Sequence, residues 1–153
     1  MTWDRISTRT LPVTPAALWD VLADVEAWPR WDPDLARVEL HAPPAAGSAG
    51  FFHPSGRVRG GVHARIADGF TVTTWTPGLE IGLRQPVPLG HMDLGFALVP
   101  APDGATALTQ HVTLTGPLRM VMVQIIGRDV VRHFAEKCAA LAQLATAADH
   151  PSR

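Results

Sequence analysis

Apolar positions follow strand-like stretches from about Leu35 to Leu114 and recur at intervals of three and four beyond Pro117, so most of the chain reads as a run of strands followed by a helix. The opening segment alternates loosely through Trp3, Ile6, Thr8 and Thr10 before Leu11-Pro12-Val13-Thr14-Pro15 turns it, which predicts a first strand. Thr14 ahead of Pro15 supplies an N-cap and a first helical residue whose missing N–H costs nothing there. Leu18, Trp19, Val21 and Leu22 follow at helical spacing, predicting a short helix over 15–23. Asp24 is placed to cap a second short turn through Val25-Glu26-Ala27-Trp28, which Pro29 and Pro33 prevent from growing.

Between Leu35 and Leu114 strand-like stretches alternate with turn chemistry. Strands are predicted over Arg37–Leu40, Gly50–His53, Val58–Ala67, Phe70–Thr76, Leu79–Gln85, His91–Val99 and Thr106–Thr115, and Asp68-Gly69 is a hairpin signal. Gln85-Pro86-Val87-Pro88-Leu89-Gly90 reads as a stiff loop with an apolar tip that gates or covers whatever lies beneath. Connections this short pair successive strands as an antiparallel meander. Residues 118–147 hold no proline and one glycine, Gly127. There Met120, Val123, Val130, Val131, Phe134, Cys138, Leu141 and Ala145 mark one long amphipathic helix, about 40 Å at a rise of 1.5 Å per residue.

This order predicts an α+β helix-grip architecture: a curved antiparallel sheet of about seven strands wrapped around a long C-terminal helix, with two short helices after strand 1. A single domain is expected over 1–147, followed by a flexible tail over 148–153. A sheet of that size curls under its own twist, and one helix cannot fill its concavity, so an internal cavity is expected.

Composition narrows the function. The chain has 153 residues, 13 Lys+Arg against 14 Asp+Glu, a net charge of −1 and a pI near 6.6, so no basic surplus draws it to nucleic acid. Cys138 is the sole cysteine, which excludes an internal disulfide and a zinc site of several thiolates. No apolar run is long enough for stable membrane insertion and the start has no leader pattern, so a cytoplasmic protein is expected. Arginine outnumbers lysine twelve to one, and the absence of tyrosine removes phenolic acid chemistry. No metal-ligand or triad spacing occurs among the histidines, so neither a metal nor another cofactor is expected.

The stretch Leu18-Trp19-Asp20-Val21-Leu22-Ala23-Asp24-Val25-Glu26-Ala27-Trp28-Pro29-Arg30-Trp31-Asp32-Pro33 resembles the amino-terminal signature of START-like (SRPBCC) helix-grip proteins, especially the polyketide cyclase/dehydratase and lipid-transport group. Asp103-Gly104-Ala105-Thr106, Leu114-Thr115-Gly116-Pro117-Leu118 and Gly127-Arg128 extend the resemblance over nearly the whole chain. It implies a hydrophobic cavity of the kind reused for lipid transport, hormone sensing, ring hydroxylation and polyketide cyclisation. It also places Trp31 toward the cavity entrance, because the short-helix segment closes one end of such folds.

Strand parity nominates the rest of the site. Met92, Leu94, Phe96 and Leu98 form one inward set, leaving His91 and Asp93 outside, and Gln110 shares the inward face of the last strand with Leu108, Val112 and Leu114. A buried amide must be bonded, so Gln110 either bonds the long helix or addresses a ligand. Phe52 and Trp75, with Trp31, are candidate apolar walls; Trp28 is expected to anchor the short-helix segment to the sheet. Met120, Val123 and Val131 are the helix's candidate contributions. Surface or rim positions are expected for the histidines; His53, beside Phe51 and Phe52, is the best exception, and a catalytic reading gives it the role of base with Gln110 as carbonyl donor. Arg128 with Asp129, Arg132 and Glu136 predicts a solvated ion-pair face rather than an anion clamp. Leu118, Val121, Met122 and Ile125 make the start of the helix apolar nearly all round, as a covered face or the lip of a ligand entrance. Cys138 reads as an inert packed thiol.

The expected function is binding of a small hydrophobic molecule, polyketide, lipid or isoprenoid-like, between sheet and helix. One alternative is a polyketide cyclase/dehydratase that works by templating the chain's conformation. Another is a non-catalytic module that pairs with a partner or a second copy through the start of the helix; the chain is a monomer or a homodimer.

Overall fold

The computed structural model describes residues 1–55 and 69–150. The strand expected over Val58–Ala67, its Asp68 turn, His63 and the last three residues of the tail lie outside them. β1 (Thr2–Leu11) is followed by α1 (Pro15–Ala23), a 3-10 turn (Val25–Arg30), and the strands β2 (Leu35–Leu40), β3 (Ala49–Pro54), β4 (Gly69–Thr76), β5 (Glu80–Val87), β6 (Gly90–Pro100) and β7 (Thr106–Thr115). These form one antiparallel sheet in the order β1-β7-β6-β5-β4-β3-β2. The meander returns to the chain's start: β1 pairs with β7 along its whole length, from Thr2 opposite Thr115 to Leu11 opposite Thr106.

α1 has the predicted bounds, and its cap is made by Thr14, whose Oγ1 accepts from the Ala17 amide at 3.3 Å. Asp24 makes no capping bond with its side chain. The second turn is held instead by Trp28, whose indole N–H donates to the Leu22 carbonyl at 2.9 Å. The expected loop over 85–90 is a tight hairpin, with β5 running to Val87 and pairing with Gly90 at the start of β6. Glycine is required there, since a Cβ at Gly90 would run into the Thr115 carbonyl oxygen.

The terminal helix is longer and less regular than the single rod expected. It comprises α2 (Arg119–Met122), a π turn (Val123–Gly127), α3 (Arg128–Arg132) and α4 (Phe134–Asp149), with backbone angles staying helical at each junction. Gly127 closes the π turn where a Cβ would crowd Leu114 at 3.1 Å and the Trp3 ring at 3.2 Å. The helix covers the first part of the expected tail, to Asp149.

Two apolar clusters fill the concave side. The larger joins α1, the 3-10 turn and α4 to the sheet through Leu18, Trp28, Phe52, Phe96 and Leu141; the smaller joins Met92, Val112 and Leu114 to Met122, Val123 and Ile126. Leu94 packs against both. Cys138 of α4 is buried in the larger cluster, where burial pushes its thiol up to about 11. At about pH 8 roughly one such thiol in a thousand is ionised. Alkylation by iodoacetamide, followed by mass spectrometry, is therefore expected to run roughly a hundredfold slower in the native protein than in urea; equal rates would contradict the packing of α4.

Candidate ligand cavity

A cavity of about 90 Å³ lies where the two clusters meet. Its apolar wall is Trp28, Leu35, Phe52, Met92, Leu94, Ile126 and Val130, and its polar side is Asp32, Asp34, Gln85, Asp129 and Lys137. β6 supplies Met92 and Leu94 by strand alternation, while the helix supplies Ile126 and Val130 from the segment that contains the π turn and ends at the break at His133.

The polar side is an ion cluster. Lys137, the chain's only lysine, is 4% exposed, and its Nζ lies 3.0 Å from Asp32 and 3.4 Å from Asp34. His133 Nδ1 lies 3.0 Å from Asp34, and the Asp34 amide donates to Asp32 Oδ1 at 3.0 Å. The cluster ties the helix to the segment that links the 3-10 turn to β2. Burial raises the Asp32 carboxyl above its ordinary value, and Lys137 opposes that rise.

Two buried polar atoms have no partner among the described residues: Trp31 Nε1 and Gln110 Oε1. Gln110 donates from Nε2 to the Val130 carbonyl at 3.4 Å, so its amide oxygen is the end left over. Gln110 stands opposite Phe96 in the β6–β7 register, and the Trp31 ring meets Phe96 edge-on at 6.0 Å. Both side chains that carry an orphaned atom thus neighbour Phe96. Trp28 adjoins both, lining the cavity while touching Trp31 at 5.2 Å and Phe96 at 5.7 Å.

Of the nominated residues, Phe52, Met92 and Leu94 line the cavity; Trp31, Phe96 and Gln110 are buried beside it. Trp75 lies elsewhere, edge-on to Trp19 of α1 at 5.4 Å. Val123 is buried in the smaller cluster. Met120 and Val131 line a separate groove on the β1 side of the helix. His53 is a correction. Phe52 takes the inward position on β3, so His53 points outward, half-exposed, with Nε2 3.1 Å from Glu39. It does not reach the cavity. Arg128, Arg132 and Glu136 are exposed, as a solvated face requires, but neither arginine has an ion-pair partner among the described residues.

Sequence reasoning missed Asp32, Asp34, His133 and Lys137. The available signal was the lone lysine at the spacing of the apolar stripe, three residues after Phe134 and four before Leu141. Among the described residues no group of three His, Cys, Asp or Glu side chains is arranged to hold a metal ion, and no helix is long and apolar enough to cross a membrane.

The family model described as polyketide cyclase / dehydrase and lipid transport matches residues 6–145. The chain belongs to that family. Solved structures share the fold of this family member. The Zhui aromatase/cyclase from Streptomyces sp. R1128 superposes with a TM-score of 0.73 at 18% identity, covering 96% of this chain and 95% of that one. TTHA0849 from Thermus thermophilus gives 0.69 at 12% identity, covering 95% and 99%. The di-domain ARO/CYC StfQ from the steffimycin biosynthetic pathway gives 0.68 at 15% identity, covering 96% of this chain and 50% of that one. A search of curated proteins found no match.

Replacing Lys137 with Met leaves buried Asp32 without its cation and Asp34 with His133 alone, and is expected to cost about 3–5 kcal/mol in urea denaturation. Adding Asp32→Asn to Lys137→Met should recover at least about 1 kcal/mol of that loss, because one stranded charge disappears. The raised Asp32 value makes its contribution to stability full below 3.8 and lost as pH rises through the folded value, so Asp32→Asn should flatten that part of the stability profile.

Proposed function

We propose that the protein binds a small, predominantly apolar molecule carrying one hydroxyl, of polyketide, lipid or isoprenoid character, in a single domain spanning residues 1–147. The observation that carries this reading is the orphaned pair. An unsatisfied buried polar atom costs about 1–3 kcal/mol, and among the described residues the interior carries one donor and one acceptor in that condition, each on a side chain that neighbours Phe96. A hydroxyl both accepts and donates, so it is the group whose chemistry suits an indole N–H and an amide oxygen together.

A volume of about 90 Å³ is below the roughly 300–1,000 Å³ of ligand pockets, so admission requires a wall to move. The wall suited to move is the helix between the π turn and His133. Val130 in that segment lines the cavity with its side chain and takes the Gln110 amide with its carbonyl, so its displacement releases the Gln110 side chain next to the enlarged cavity. Affinity then comes from desolvated apolar surface, at roughly 25 cal/mol per Å², and orientation from the pair.

A catalytic reading rests on Asp32 and Lys137, which bring a carboxyl with a raised value and an ammonium to the cavity wall within reach of each other. With a folded polyketide chain in the enlarged cavity, this pair would supply proton transfer to ring closure or dehydration, while the apolar wall sets the chain's conformation. The family's cyclase and dehydrase members support this reading as far as the class of reaction.

Titration calorimetry with 1-naphthol and naphthalene tests the binding proposal. The wild-type protein should prefer 1-naphthol by about tenfold, and Gln110→Leu should erase that preference while leaving naphthalene affinity unchanged. Equal affinities in the wild type, or a preference that survives Gln110→Leu, would overturn it.

A further inference from the structure

On the opposite flank of the helix, a groove of about 880 Å³ separates α2, the π turn and α3 from the edge strand β1. Its size falls in the range of small-molecule sites, and its lining divides by chemistry. Trp3, Met120, Val123, Ile125 and Val131 provide apolar surface, while Arg5, Arg128 and Arg132 bring three guanidinium groups. Arg128 and Arg132 are one helical turn apart and therefore project from the same face. Arg5 comes from the strand side, opposite Val112 in the register, its guanidinium 5.3 Å from the Trp3 ring.

None of the three arginines has a carboxylate partner among the described residues; Arg5 donates only to the Asp4 carbonyl, at 3.2 Å. Among the described residues Asp129 is the one acid lining the groove, against three cations. The chain's net charge is −1, so this excess is local rather than a reflection of overall composition. Met120 is 53% exposed although it shares the lining with the indole of Trp3, so the apolar floor is open to solvent. Arginine pairs with carboxylates through a planar, bidentate fork, which fits the site to a carboxylate better than to a neutral head.

We propose that this groove is a second binding site, separate from the internal cavity, for an amphiphilic organic carboxylate: a single apolar chain on the Trp3, Met120, Ile125 and Val131 floor with its anionic head among Arg5, Arg128 and Arg132. The concavity selects a monomeric amphiphile over a lipid bilayer, because a bilayer surface cannot enter a groove bounded by a strand edge and a helix. The tail supplies affinity by desolvation, and the guanidinium groups supply the choice of head.

The test uses decanoate, 1-decanol and acetate as probes in titration calorimetry with the full chain at neutral pH. Decanoate should bind with a stoichiometry of one and at least about tenfold more tightly than 1-decanol or acetate, weakening as salt is added. The double variant Arg128→Gln/Arg132→Gln, both exposed positions that leave the core intact, should reduce decanoate affinity by about tenfold and leave 1-naphthol binding unchanged. Met92→Trp, which fills the internal cavity, should do the reverse. Equal binding of decanoate and 1-decanol, decanoate binding that persists in the arginine variant, or its loss on filling the cavity would each overturn the proposal. So would binding to anionic phosphatidylserine vesicles without binding to monomeric decanoate. Failure of 1-naphthol to bind would leave decanoate binding intact, so the two sites stand or fall separately.

Discussion

A twisted sheet of seven strands presents a concave apolar face wider than one helix can cover, and that mismatch governs the rest of the molecule. The chain closes the gap with other elements. α1 and the 3-10 turn fill one end with Leu18, Trp28 and Trp31, the start of the terminal helix fills the other with Met122, Val123 and Ile126, and the cavity is what remains between the two clusters. The helix grips the sheet in two places rather than along a continuous seam. The π turn belongs to the first of those grips, through Val123 and Ile126, and the break at His133 falls between the two, beside the cavity.

The polar groups in this interior are unevenly satisfied, and the difference has physical meaning. Lys137 is held by two aspartates, and Asp34 is further held by His133, so the charged cluster is closed on itself and joins α4 to the residues preceding β2. Such a buried cluster adds little net stability over a well-packed apolar substitute, but it is costly to break and it fixes one geometry. The Trp31 indole and the Gln110 amide oxygen have no partner among the described residues. The Gln110 amide bonds the helix through its nitrogen, and its oxygen is the end on which the proposed ligand reading rests.

Much of the fold was legible because the sequence states it twice, in periodicity and in turn chemistry. Met92, Phe96 and Leu98 alternate cleanly on β6, and Thr14-Pro15 starts α1 where the structure starts it. Parity placed Gln110 inside for the same reason. His53 was misplaced because Phe51 and Phe52 are both apolar, so the pattern on β3 does not say which faces inward; the structure buries Phe52. The segmentation of the helix was not legible, since it reflects the fit of Gly127 beneath Trp3 and Leu114, residues distant in sequence. The charged cluster escaped notice because a lysine on an apolar stripe looks like an interruption until its aspartates are seen to come from another element. The arginines of α3 looked like half of an ion-pair ladder; their spacing is right, but the structure leaves Arg128 and Arg132 facing a groove instead.

If a ligand's polar atom satisfies the unanswered donor and acceptor of the interior, the Trp31 indole N–H reports on it directly. Nitrogen-15 NMR resolves tryptophan indole N–H signals, and single Trp→Phe variants assign them. Addition of 1-naphthol is predicted to shift the Trp31 indole proton downfield as it gains an acceptor, with naphthalene producing no such shift. A Trp31 signal that stays in place while 1-naphthol binds, or that moves equally with naphthalene, would contradict the account.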